Sequence, residues 1–251
     1  VRETAIPIGF SQRIRLEWLE YTANLVLAGN SPRVINEELQ NLLRDKLSVG
    51  NDPERGNREK TITILMKVWA LPRPELLQFH SDGLNLLKET ALTNHLVLHW
   101  GMVMAVYPFA EIVAFQVGRL LRLQGTAAAT HVQRRVKELL GERETVSRAA
   151  RRVIRSFIDW EVLGESGERG VYIPSRIEFI SDNRLLIWLV EAMLHVYKSG
   201  SSNLKTLIDS PSLFPFKYEL LSSSLFTGSE RIEVLRQGLD DDIVILRSRV
   251  K

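Results

Sequence analysis

Wound at helical pitch, residues 146–160 place Arg148, Arg151, Arg152 and Arg155 within an arc of about 100°. Val146, Ala149, Ala150, Val153, Phe157 and Trp160 fill a similar arc on the opposite side. The apolar arc can be held by a core while the guanidinium groups face outward as charge-assisted donors. Each guanidinium is a planar fork that pairs bidentately with phosphate or with a guanine edge. Just upstream, His131, Arg134, Arg135 and Lys137 share a second short basic helix, and Arg143 lies in the connection between the two. Downstream, Arg169 sits in the Gly-rich stretch Gly164–Gly170, between Glu161-Val162-Leu163 and Val171-Tyr172-Ile173-Pro174. The chemistry on offer is binding of a polyanion. Residues 134, 135, 137 and 143 are suited to a sugar-phosphate backbone, and Arg169 to a contact from a hairpin tip.

Other reactive side chains are better read as structural. His95 and His99 are four apart, a metal-ligand spacing, yet no acidic residue lies between them and no third ligand is evident. They read as core or partly buried histidines. Asp240-Asp241-Asp242 reads as a polar hairpin tip rather than a cation site, and the serines at 222–224 lack any nucleophile-elbow or phosphate-loop context. With no cysteine in the chain, disulfides and thiolate chemistry are excluded. The expectation is a protein with no catalytic constellation, no cofactor and no metal.

At 251 residues the chain has room for one large domain or two or three small ones. Apolar residues make up 45% and charged residues 25%, an ordinary globular composition. From Arg119 to Arg155, ten Arg and Lys face only Glu138, Glu142 and Glu144, a local balance of +7 in a chain whose formal charge is +3. That concentration of charge, rather than the total, points to a polyanion. Thr90–Ala110 is a run of 21 uncharged residues, close to a bilayer span in length. Its Thr90, Thr93, Asn94, His95, His99 and Pro108 favour a buried core helix instead. No secretory signal is visible, and absence of cysteine suits a reducing compartment, so a cytoplasmic location is expected.

The first third reads as helical throughout. Helices are predicted from Ser11 to Leu27, from a Ser31-Pro32 start to about Leu47, and over 58–70, 75–88, 91–106 and 108–124, with Gly50–Asn57 as a loop. After the hairpin come a helix over Asn183–Tyr197, a short helix over 203–208, an ambiguous stretch over Lys217–Phe226, and a hairpin of 231–237 with 243–249. Helix, short helix, uncertain element and hairpin echo the central order, so a second winged-helix-like unit is one reading of this region. Its candidate recognition helix carries only Lys217, which suits a scaffolding or dimerising role.

Thr126–Pro174 resembles the winged helix-turn-helix superfamily, about a fifth of the chain, which implies duplex DNA as partner and Arg148, Arg151, Arg152 and Arg155 on the recognition helix. The opening helices, the helical middle and the later basic helix-plus-hairpin also resemble the BrxA-type accessory proteins of bacterial BREX phage-defence systems. That resemblance implies a helical DNA-binding protein without a catalytic site, acting with other subunits of a defence complex. The long C-terminal extension departs from it. The fold expected is mainly α: an N-terminal helical domain (1–107), a winged helix-turn-helix domain (108–180) and a C-terminal helical and β-hairpin domain (181–251). The function expected is a non-catalytic duplex-DNA-binding accessory or regulatory protein, outside any membrane, as a monomer or homo-oligomer. The alternative is a scaffold subunit that uses winged-helix modules for assembly.

Overall fold

The computed structural model describes residues 7–48, 56–197, 199–219, 222–237 and 241–247. The chain enters as an extended strap in which Phe10, Gln12 and Ile14 are buried while Arg13 and Arg15 face outward. Such alternation belongs to extended chain, not helix. The helix predicted from Ser11 therefore begins only at α1 (Leu16–Leu27). The reason is tertiary: Ile14 N donates to Ser156 Oγ at 2.8 Å, and Trp160 Nε1 donates to Ile14 O at 2.9 Å. Ser31 caps α2 (Pro32–Leu43), accepting from Val34 N, with Pro32 pre-set for the first turn. The loop expected at Gly50–Asn57 lies largely outside the described residues.

α3 (Asn57–Leu65) widens into a π-helical turn over Met66–Ala70, so the regular helix predicted over 58–70 is interrupted. α4 (Leu77–Glu89) and α5 (His95–Val106) are each preceded by a turn of 3-10 helix. α5 is buried from Leu96 to Val106, and the chain bends by 118° before α6 (Pro108–Gln124). Among the described residues no single helix is long and apolar enough to cross a membrane.

Next come β1 (Ala127–Ala128), α7 (Ala129–Leu140), α8 (Glu144–Asp159), β2 (Leu163–Glu165) and β3 (Val171–Pro174). The strands form an antiparallel sheet in the order β1-β3-β2, with Ala127 opposite Tyr172 and Gly164 opposite Ile173. The hairpin is shifted relative to the sequence reading. Glu161 takes a left-handed turn at φ 60°, so pairing starts at Leu163 rather than at Glu161, and Gly164 belongs to a strand. The turn keeps Gly167 and Gly170 at φ 91° and 80°, where a side chain would be strained.

The remainder holds β4 (Glu178–Phe179), α9 (Asn183–Val196), β5 (Ser201–Asn203), α10 (Leu204–Ile208), β6 (Phe216–Lys217), β7 (Ile232–Gln237) and β8 (Asp241–Leu246). β5-β8-β7 is antiparallel and repeats the first–third–second order of β1-β3-β2. The ambiguous stretch Lys217–Phe226 gives no long helix among the described residues: β6 pairs in parallel with β4, and 223–226 is a 3-10 turn. Of the aspartates at 240–242, Asp242 pairs with Arg236 across the β7–β8 hairpin, and Asp240 lies outside the described residues.

One core runs through all three segments expected as domains. Trp100 on α5 is fully buried; its ring stacks on Phe157 at 4.8 Å and meets Trp160, Phe214 and Phe216 edge-on within 5.8 Å. The segments bounded at 107 and 180 therefore share one interior. Two glycines set how closely the layers approach. A Cβ at Gly101 would lie 2.4 Å from the Trp188 ring, and one at Gly118 would lie 1.8 Å from the Pro211 carbonyl oxygen.

Candidate nucleic-acid interface

On α8 the apolar arc is buried as its spacing requires: Val146, Ala149, Ala150, Val153, Phe157 and Trp160 are each at most 3% exposed. Arg148, Arg151 and Arg155 are exposed along the opposite stripe. Arg151 and Arg155 have no hydrogen-bond or ion-pair partner among the described residues, and Arg148 has only a distant Glu144 at 3.9 Å. Arg152 does not join them. It is half-buried, its guanidinium donates to Ser11 O, and burial beside Arg148 lowers its pKa.

The other expected residues sort by position. On α7, Arg134 is exposed, with Glu138 at 3.6 Å. Arg135 is partly buried, and its Nε has no hydrogen-bond partner among the described residues. Lys137 pairs with Glu142, which raises its pKa, and Arg143 reaches back toward Leu140 O at 3.4 Å. Arg169 is exposed at the hairpin tip. Ala129 N donates to Gly170 O at 2.9 Å, so the tip returns beside the N-terminus of α7. The structure therefore brings Arg148, Arg151 and Arg155 together, sets Arg134 and Arg169 on flanking elements, and turns Arg152 inward. Sequence reasoning missed the strap, which runs beside α8 and pairs both oxygens of the Asp159 carboxylate with the guanidinium of Arg13. The alternation of Phe10 and Ile14 was its signal, obscured by a polar residue, Gln12, at the middle buried position.

A second titratable cluster lies away from this surface. Glu20 on α1 receives His95 Nδ1 at 3.0 Å and His99 Nε2 at 2.8 Å. Trp69 Nε1, from the π-helical turn, donates to His99 Nδ1 at 3.0 Å, so His99 is neutral with its proton on Nε2. Both nitrogens of His95 face acceptors, Glu20 and Thr90 O, an arrangement that favours the imidazolium. His80 Nε2 donates to Trp69 O at 2.7 Å. Among the described residues no group of His, Asp or Glu is arranged to hold a metal ion.

This cluster fixes a pH response. Burial lowers His99 and His80, whereas the Glu20 carboxylate lifts His95 against its burial, above the ordinary 6.5. A raised histidine stabilises fully below its unfolded value and loses that contribution as pH rises through its folded value. His95→Gln is therefore expected to remove part of the stability decline that sets in as pH rises above the ordinary 6.5. Urea midpoints of parent and variant across that rise check it; parallel curves would mean His95 is not the charged partner.

No family model, curated protein or solved structure matches this chain.

Proposed function

We propose that residues 108–180 form a winged helix-turn-helix unit and that the protein is a non-catalytic duplex-DNA-binding accessory or regulatory protein. The observation that carries this reading is the stripe of Arg148, Arg151 and Arg155, exposed and almost without internal partners on the helix that precedes the hairpin. Duplex DNA presents about one negative charge per 1.7 Å of axis, and cations that neutralise phosphates release counterions. The order α6, β1, α7, α8, β2, β3 and the β1-β3-β2 sheet are those such a unit requires, with α8 as recognition helix and Arg169 on the wing. β5-β8-β7 with α9 and α10 supports a second, degenerate unit lacking a recognition helix, suited to assembly. The resemblance to BrxA-type proteins supports a role in bacterial phage defence, beside other subunits.

A protein-interaction scaffold is the second reading. Ile173 on β3 and Ile177 and Phe179 just after the hairpin, 37–59% exposed, favour it. Arg151→Ala with Arg155→Ala separates the two. The double variant is expected to keep its melting temperature, weaken duplex binding, and flatten the log–log salt dependence by about one unit for each phosphate left unneutralised. Duplex affinity equal to the parent's at every salt concentration would give the fold to the scaffold reading.

A further inference from the structure

Asp159 follows Arg155 by four residues on α8, the spacing at which opposite charges meet on a helix surface. Left free, that carboxylate would compete with phosphate for Arg155 and would repel any phosphate drawn to the stripe. It is not free. Arg13 binds it through Nε and Nη2 together, a bidentate clamp delivered from 146 residues away in sequence. The clamp leaves Asp159 15% exposed and Arg13 46% exposed, at the edge of the arginine stripe.

The strap leaves Arg13 little choice of position. Gln12 and Ile14 on either side are buried, Ser11 O accepts from Arg152, and the Ile14 backbone is bonded at both N and O. Alternation then points residue 13 outward over the end of α8. Arginine suits the task because its fork satisfies both carboxylate oxygens at once, which a lysine ammonium cannot.

We propose that Arg13 is a positioning residue of the DNA surface: by occupying Asp159 it keeps Arg155 available to phosphate. This rests on the duplex-binding reading. It also makes the strap part of the binding unit, because α8 alone would carry an arginine quenched by its own helix. Arg13 here acts on the ligand only through Asp159.

Salt titrations with a random-sequence duplex test it, because a clamp and a mere tether predict different signs. Arg13→Gln is expected to lower affinity on the order of tenfold, the scale of one charge-assisted contact, and to reduce the salt slope by about one unit. Asp159→Asn should bind as well as the parent or better, and the double variant should return to parental affinity. Arg13→Lys, which keeps the charge, should lie between parent and Arg13→Gln. If Arg13 only tethered the strap, Asp159→Asn would weaken binding as much as Arg13→Gln, and the double variant would stay weak; that pattern overturns the proposal. Unchanged binding by Arg13→Gln, with the parent binding in a salt-dependent way, overturns it while sparing the functional reading. A parent that shows no salt-dependent duplex binding overturns both.

Discussion

Trp100→Ala is expected to destabilise the protein by about 3–5 kcal/mol, the range for truncating a buried aromatic side chain. Its ring touches Phe157 and Trp160 at the end of α8 and Phe214 and Phe216 near β6, so the loss is felt in three segments of chain at once. One term offsets it: Trp100 Nε1 is buried without a hydrogen-bond partner among the described residues, and truncation removes that unsatisfied donor. Denaturant unfolding should remain one transition, at a lower midpoint and with an unchanged slope. Two separate transitions would show that the segments before 108 and after 180 fold independently, and that the shared aromatic cluster is a contact between finished domains.

Glu111→Gln is expected to act in the opposite direction. Glu111 stands in the first turn of α6 and is almost wholly buried, with the Ser212 hydroxyl as its hydrogen-bond partner. Burial lifts its carboxyl from the ordinary 4.5 to about 7. Below pH 4.5 it is neutral in the folded and unfolded chain alike and costs nothing electrostatically. As pH rises to about 7 the unfolded chain ionises first, so the native state loses stability over that interval. Above it both states are charged and the penalty is constant, on the order of 3 kcal/mol. Glutamine keeps a partner for Ser212 without the charge, so the variant should match the parent in acid and exceed it in alkali. A gain of the same size at every pH would mean that burial does not shift the carboxyl's pKa between the unfolded and the folded chain.

How far these features can be read in advance depends on where the deciding partner lies. α8 is legible because its two faces differ within one helix, and the burial of its apolar arc needs only the existence of a core. The short strands are not. Ala127-Ala128 has no strand propensity of its own and pairs because β3 returns beside it. The strap reads as helix in the sequence because Ile14 and Trp18 lie four apart, a helical spacing, and it is the bonds to Ser156 and Trp160 that hold Ile14 in extended chain. Beside those bonds, Ser11 O draws Arg152 away from the stripe, a separation that no helical wheel contains. The histidine pair reads as core, while the residue that defines its charge, Glu20, lies some 75 positions away. The widened turn that brings Trp69 to His99 likewise leaves no mark in the periodicity.

The strap also sets a timetable for synthesis. Its anchoring bonds span 142 and 146 residues, so Ile14 leaves the ribosome long before the Ser156 and Trp160 that bond it exist. At about 5–20 residues per second the wait is on the order of ten seconds, against microseconds for forming a helix. For that interval the nascent chain exposes an apolar extended segment, a form that other chains can pair with. Arg13 and Arg15 alternate with the apolar positions and act as charged gatekeepers there. The two arginines protect the unfinished chain before either has any α8 to adjoin.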